Sequence, residues 1–356
     1  MPTPNHSTSV GLSCPTMQAT SLSSRVMMGH GGGGLLTLQL IREVFAAAFG
    51  MQASDLEHDA VVLPRLSRPL AFTTDAFVVR PLFFPGGSIG DLAVYGTVND
   101  LAVAGAEPRF LTASFVIEEG LPRDDLVRIA EAMGAAAQRA GVRIVAGDTK
   151  VVERGHGDGV YVTTSGIGEL LPELTLSPSR VAPGDAILLS GTLADHGMAI
   201  MRVRQDLGFE ANIQSDTAPL HGLVATMAAA CREIRLMRDP TRGGLAACLT
   251  EMAEACGHGF AIEEATVPIA PAVAAACEIL GLDPWLVANE GKLVAIVPAE
   301  AADAVVQAMR SHPNGREAAV IGRVVPDHPR RVAVRTGIGG QRIVPMPVGE
   351  LLPRIC

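Results

Sequence analysis

Between Pro122 and Lys150 a helix pattern gives way to a strand pattern with no room for a long loop, which commits this chain to alternating helices and strands. Pro122 suits a helix start, and Asp124 and Asp125 in the first turn complement the helix dipole. Apolar residues recur at Leu126, Ile129, Met133, Ala137 and Ala140, and Gly141 closes the helix. Residues 142–146 then read as a strand running into Gly147-Asp148-Thr149-Lys150. An α/β or α+β fold is predicted.

The alternation extends in both directions. A glycine run, Gly29-His30-Gly31-Gly32-Gly33-Gly34, leads into a helical pattern through Leu40 and Phe45. A strand at 70–74 ends at Asp75, and Ser88 caps a helix through Asp91 to Val103. An alternating stretch at 160–167 completes a first unit, and Pro172, Pro178 and Pro183 mark its boundary. The second unit reads as a strand at 186–190, helices near 194–207 and 217–235, a turn Asp239-Pro240-Thr241-Arg242-Gly243-Gly244, and a helix to Cys256. A helix at 270–280, a strand at 293–297, a helix at 300–310 and a strand at 318–325 follow. The 356 residues are enough for two domains, predicted at 29–171 and 172–335. Residues 1–28, rich in Ser, Thr and Pro, are expected to be a disordered extension, and 336–356 a mobile tail.

Composition removes several function classes. A net charge of −9 without a basic cluster argues against nucleic-acid binding. No apolar stretch is long enough, free of Gly, Pro and charge, to span a bilayer. The six cysteines form no CxxC pair; Cys248 and Cys256 share the apolar side of a helical pattern with Leu245, Leu249 and Met252 and read as core filler. Unpaired thiols point to the cytoplasm. Lys150 and Lys292 are the only lysines among 28 basic residues, which suggests work that the bulkier, permanently protonated Arg cannot do.

Three constellations carry chemistry. Asp75, Asp100, Asp148 and Asp239 suit magnesium, which favours a few carboxylates plus substrate phosphates, although each alone also reads as a cap or turn residue. Asp100 is the telling one, because a carboxylate in an apolar helix needs a cation, a partner or solvent. The glycines of Gly31 to Gly34 and Gly243-Gly244 let backbone N–H groups approach phosphate oxygens, though a flexible linker has the same pattern. A GxxxxGK[ST] signature is absent, which excludes a P-loop. Lys150, two positions beyond Asp148, is placed to meet a phosphate, and Asn289-Glu290-Gly291-Lys292 brings a carboxylate and the other lysine to a strand end. A solvated surface turn would read alike.

The chain ends Pro345-Met346-Pro347-Val348-Gly349-Glu350-Leu351-Leu352-Pro353-Arg354-Ile355-Cys356. Three prolines and a glycine discourage helix and central strand, so the segment reads as an extended arm with a thiol at its tip, or as a frayed end that happens to finish in Cys. From Gly337 to the end, at up to about 3.3 Å per residue, it can span tens of ångströms. The adjacent terminal carboxylate should raise the Cys356 pKa, with Arg354 offsetting it.

Taken together, these segments resemble the HypE family of hydrogenase-maturation carbamoyl dehydratases. The matching pieces are His30-Gly31-Gly32-Gly33-Gly34, Thr73-Thr74-Asp75, Pro81-Leu82-Phe83-Phe84-Pro85-Gly86-Gly87 and Gly96-Thr97-Val98-Asn99-Asp100. Gly147-Asp148-Thr149-Lys150, Asp195-His196-Gly197, Asp239-Pro240-Thr241-Arg242-Gly243-Gly244, Asn289-Glu290-Gly291-Lys292 and the terminal Pro353-Arg354-Ile355-Cys356 continue the match from about residue 29 to the end. Family members often carry Ser where Gly32 stands. The resemblance implies a two-domain fold shared with aminoimidazole ribonucleotide synthetase and selenophosphate synthetase, dimerised through the first domain, with ATP between the glycine loop and the acidic cluster. It implies nucleotide contacts from His30, Gly31, Gly33, Gly34, Asp75, Asn99, Asp100, Asp148, Thr149, Asp239, Thr241, Arg242 and Gly243. It further implies that a carbamoyltransferase, HypF, loads Cys356 and that ATP then drives dehydration of the S-carboxamide to an S-cyanate. The cyanide would pass through a HypC–HypD complex to the iron of a nickel–iron hydrogenase. In that scheme Mg2+ sits on Asp75, Asp100, Asp148 and Asp239, Glu290 is the base, and Lys150 steadies the transferred group. Two other readings are a relative that phosphorylates a free small molecule, which has no need of Cys356, and a scaffold that binds nucleotide without turnover.

Overall fold

The computed structural model describes residues 24–356 except 57, 59, 173, 206–211, 348, 350, 351 and 353. The predicted extension at 1–23, with Cys14, lies outside the described residues. Residues 24–28 do not extend it: Val26 is buried and exchanges backbone hydrogen bonds with Gly120 and Leu121.

The first sheet is built on one helical layer. Helix α1 (Gly34–Leu40) widens into a π-helical stretch, Ile41–Ala46, and ends in α2 (Ala47–Phe49). Strand β1 (Leu70–Phe77) is followed by the short hairpin β2 (Phe83–Phe84) and β3 (Gly87–Ser88). Ser88 Oγ accepts the Gly90 and Asp91 N–H groups at 3.2 and 3.4 Å, so α3 (Ile89–Val103) starts where the sequence places it. Strand β4 (Ala106–Glu118), α4 (Arg123–Arg139), β5 (Arg143–Val152) and β6 (Val160–Leu170) complete the unit. The order is β1-β6-β4-β5, with β4 and β5 parallel around α4. One face packs on α3 and α4 through Phe115, Ile117, Leu92, Ile129 and Met133. The other face carries exposed Leu70, Phe72 and Val116; Phe72 is 70% accessible.

The second sheet is covered on both sides. Its elements are β7 (Ala186–Leu189), α5 (Asp195–Gln205), α6 (His221–Ala230), β8 (Leu236–Arg238), α7 (Gly244–Cys256), β9 (Gly259–Glu263) and α8 (Pro271–Leu280). Strand β10 (Val294–Val297), α9 (Ala302–Ser311), β11 (Ala319–Val325), β12 (Val332–Arg335) and β13 (Gln341–Val344) follow. The order is β13-β12-β9-β11-β7-β10-β8. Ile187 and Ile296 pack toward Met198 of α5, Leu249 of α7 and Ala276 of α8, while Leu188 and Ala295 pack toward Met227 of α6 and Val305 of α9. Burial on both faces explains why β7 and β10 read as unbroken apolar runs.

Three elements depart from the sequence reading. Strand β4, central to the first sheet, begins Ala106-Glu107-Pro108-Arg109, and those polar residues and the proline mask its alternation. Strand β5 runs through Asp148 and Lys150 instead of stopping before them. The predicted arm starts later than Gly337, because β13 pairs antiparallel with β12.

Candidate active site

The tail tip docks between the two sheets. The Val78 N–H donates to the Cys356 carbonyl at 3.3 Å and the Arg80 N–H to the Arg354 carbonyl at 3.1 Å, a short antiparallel pairing that extends from the end of β1. Ile355 is buried beside Gly197, and its carbonyl lies 2.6 Å from His196 Nε2. Arg354 pairs with Asp158 at 2.5 Å rather than with the terminal thiol, so the expected offset of the Cys356 pKa by Arg354 is replaced by a docking contact.

Docking brings the Cys356 thiol beside the Glu290 carboxyl, close enough for each to perturb the other's proton affinity, with Arg242 and Asp75 near enough to be felt electrostatically. Burial, then the charges of Asp216, Asp239 and Asp75, push Glu290 well above the ordinary carboxylate range. Burial and then Glu290 push the thiol well above its own. Glu290 Oε1 is buried without a hydrogen-bond partner among the described residues. A buried carboxyl of raised proton affinity, with a spare oxygen beside a thiol, can act as a base toward whatever the sulfur carries once it has shed its own proton.

An acidic cluster flanks the tip. Asp75 on β1 lies beside Asp100 on α3, near enough for the two charges to repel, and Thr73 Oγ1 donates to Asp100 Oδ2 at 2.7 Å. Asp239, just past β8, is close enough to both to feel their charges. Burial first, then Asp100, raises Asp75 to about 6; burial, then Asp100 and Asp75, raises Asp239 to about 7. Carboxylates that repel one another in a dry site suit a hard cation, and a pair of them plus phosphate oxygens meets the needs of magnesium. Among the described residues no three His, Cys, Asp or Glu groups converge on one ion, so the four-aspartate cage is not formed. Without cation or nucleotide, the folded chain keeps protons on Asp239 that the unfolded chain loses above 3.8. Its contribution is therefore present below that value and lost as pH rises through about 7. Asp239→Asn should raise the stability of the EDTA-treated protein at about pH 8 by roughly 1–2 kcal/mol, read as a higher melting temperature, and change it little at about pH 5.

Lys292 supports this site from behind. Its Nζ lies 2.9 Å from Asp216 and 3.7 Å from Asp195, all with little side-chain exposure. Asp216 also accepts the Glu290 and Gly291 N–H groups at 3.2 and 3.3 Å, which fixes the turn that carries the carboxyl. Gly291 is required there, since a Cβ would stand 1.9 Å from the Asp216 carbonyl oxygen. Nothing in the sequence marks Asp216, which lies in a stretch without periodicity. Lys292→Met should lower stability by about 3–5 kcal/mol, measured by denaturant unfolding, because it strands a buried carboxylate.

Asn99 spans the two domains. Its Nδ2 donates to the Ala218 and Glu290 carbonyls at 3.0 and 3.1 Å, and Oδ1 accepts the Leu220 N–H at 2.8 Å. The amide expected at the nucleotide is thus committed to positioning the Glu290 turn. Thr241, Arg242 and Gly243 form the turn into α7, where Gly243 has φ 77° and the Gly244 N–H donates to the Thr241 carbonyl at 2.9 Å.

The remaining predicted residues gather elsewhere. Gly31, Gly33, Asp148, Thr149 and Lys150 line a cavity of about 560 Å³ with Phe45, Phe49, Ala113 and Phe115. Gly31 packs on β5 so closely that a Cβ would stand 2.3 Å from the Val151 nitrogen. Gly34 opens α1 at φ 76°. His30 is buried and bonded to the Met27 backbone, away from this cavity. Asp148 accepts the Thr149 N–H at 2.8 Å and Lys150 Nζ at 3.1 Å, and the lysine holds it below the ordinary carboxylate range. Register pairs Asp148 with Ser114, Ser114 with Thr163 and Thr163 with Ala76, so Asp148 and Lys150 share the open face while Asp75 faces α3. Three strand spacings separate them from β1, roughly 14 Å. One chain therefore does not bring Lys150 and Asp148 to Glu290, Asp75 and Cys356.

Comparison with known proteins agrees with this two-domain arrangement. Residues 57–170 and 182–335 match the family models for the N-terminal and C-terminal domains of AIR synthase related proteins. The fold is that of the AIR synthase superfamily. The carbamoyl dehydratase HypE of Azotobacter vinelandii is 54% identical over 331 residues, covering 93% of this chain and 97% of its own. A crystal structure of the hydrogenase maturation protein HypE in complex with ATP superposes with a TM-score of 0.89 at 44% identity, covering 93% of this chain and 99% of that one. A HypE–HypF complex matches with a TM-score of 0.76 at 46% identity, covering 86% and 99%. This chain belongs to the HypE family of carbamoyl dehydratases.

Proposed function

We propose that this chain dehydrates the S-carboxamide carried on its own Cys356 to an S-cyanate, at the expense of ATP, and so supplies the cyanide ligand of a nickel–iron hydrogenase. The observation that carries the reading is the terminal thiol seated against Glu290 inside the acidic pocket. A site for a free small molecule would not be filled by the enzyme's own last residue.

The chemistry follows from what an amide lacks. Its oxygen leaves poorly, so it first attacks the γ-phosphorus of ATP; an O–P bond forms, the bond to ADP breaks and one nitrogen proton is released. Glu290 then accepts the remaining nitrogen proton. That electron pair becomes the third bond of C≡N as the C–O bond breaks and phosphate leaves with the oxygen. The sum is S-carboxamide plus ATP giving S-cyanate, ADP, phosphate and a proton. Magnesium, when bound, would be held by Asp75 and Asp100 with Asp239 alongside, and would neutralise phosphate charge. The Gly31–Gly34 backbone, Asp148 and Thr149 would face the nucleotide, and Lys150 would steady the transferred phosphoryl group.

Asp148 and Lys150 lie three strand spacings, roughly 14 Å, from β1, at whose end Cys356 docks. We therefore propose a homodimer through the open sheet face bearing Leu70, Phe72 and Val116, in which one copy supplies Asp148 and Lys150 and the other Glu290 and Cys356. An apolar, uncovered sheet face supports this.

As docked, Cys356 is a protonated thiol and a poor nucleophile, so loading belongs outside the pocket, on HypF; the HypE–HypF complex of relatives supports that partner. Delivery of cyanide falls to a HypC–HypD complex. The five described cysteines are all free, which supports a reducing cytoplasm. The test is intact mass during incubation with HypF, carbamoyl phosphate and ATP. A carbamoyl adduct should appear and then lose one water. ATP turnover that ignores the carbamoyl group would overturn the reading.

A further inference from the structure

We infer that His196 is the positioning residue that latches the docked tail, fixing Ile355 so that the atoms on Cys356 meet Glu290. The inference rests on the reading of Cys356 as carrier and adds the device that registers it.

The Ile355 carbonyl can only accept a hydrogen bond, so the His196 proton sits on Nε2, 2.6 Å away. Nδ1 must then accept, and Ser215 Oγ lies 2.8 Å from it. The Thr217 N–H donates to the same Ser215 oxygen at 3.1 Å, and the Ser215 N–H bonds the Pro85 carbonyl at 2.8 Å. The tautomer is thus set by the Ile355 carbonyl, and the other ring nitrogen is held by a segment anchored in both domains. The imidazole is wholly buried and meets Phe84 edge-on at 5.4 Å. Burial lowers its pKa and keeps it neutral.

The next residue along that segment is Asp216, which holds the Glu290 turn. Ser215 and Asp216 therefore register the tip, through His196, and the base, through two backbone N–H groups. Neither His196 nor Ser215 touches the sulfur. Arg204 secures the other end of the tip by donating to the Arg80 and Arg354 carbonyls. A carboxyl and a terminal group brought together from residues 290 and 356 need such a shared reference, because proton transfer fails when either drifts by an ångström.

The test uses the full chain and three variants. His196→Phe keeps a ring against Phe84 but has no donor; His196→Gln keeps a donor near the Nε2 position; Arg204→Gln changes an exposed side chain. Iodoacetamide labelling of the Cys356 peptide without ATP should be about tenfold faster in His196→Phe, a factor typical of one lost buried hydrogen bond, and within a few-fold of native in His196→Gln. Water loss from the carbamoylated chain should slow about tenfold in His196→Phe, with carbamoyl loading by HypF as fast as native or faster. Arg204→Gln should shift labelling in the same direction. Native labelling and native water loss in His196→Phe would overturn the latch, and so would equal damage in His196→Gln. If the native chain takes up a carbamoyl group and never loses water, the reaction is wrong while labelling still judges the latch.

Discussion

Glu290→Gln is expected to keep the carbamoyl adduct on Cys356 and to slow its loss of water by about 10²–10⁴-fold, the usual worth of a positioned base. Glutamine preserves shape and burial, and it cannot take the nitrogen proton. The native rate should also depend on pH with a definite sign. Glu290 must shed its own proton before it accepts one, and its affinity for that proton is raised by burial and by Asp216, Asp239 and Asp75. Water loss therefore rises with pH through that raised value, and the glutamine variant should lose this limb. Single-turnover measurements on pre-carbamoylated protein give both results without interference from loading. A glutamine variant with native rate and native pH profile would remove Glu290 from the chemistry.

Cys356→Ala should abolish carbamoyl uptake altogether, read as the absence of any adduct after incubation with HypF. Deleting residues 353–356 should do the same and also lower the melting temperature, because it exposes the site of the buried Ile355, a side chain worth roughly 2 kcal/mol. The alanine variant, which keeps Ile355 and its carbonyl bond to His196, should melt close to native. Nucleotide binding should survive in both, since the acidic cluster and the glycine cavity lie on other elements. Activity on a free substrate that persists after truncation would favour the small-molecule relative instead.

Much of the architecture could be read from side-chain periodicity. The cap at Ser88, the helix from Pro122 to Gly141 and the apolar strands at 186–190 and 293–297 are local patterns, and local patterns survive translation into structure. Strand β4 was hidden because Glu107 and Arg109 point toward Arg68 and Glu169 in an ion-pair cluster at the sheet end, which looks like a loop in one dimension. Asp216 was hidden for a different reason. Its role comes from the backbone of residues 290 and 291, which no spacing in the chain announces.

The two lysines illustrate the limit well. Their rarity marked both, yet Lys150 stands exposed beside Asp148 while Lys292 is sealed against Asp216. Composition could select them; only packing could assign one to solvent and the other to support.

The chemical inventory was written in the chain: a terminal thiol, carboxylates, glycines that let backbone approach phosphate, and one acid before the strand at 293–297. Which of these meet was decided in three dimensions. Strand alternation puts Asp148 and Lys150 on one face and Asp75 on the other, and the two domains close around Ile355 to set Cys356 on Glu290. Side-chain type is local information, whereas proximity between residues 290 and 356 exists only once the buried His196 and Asp216 have fixed both ends.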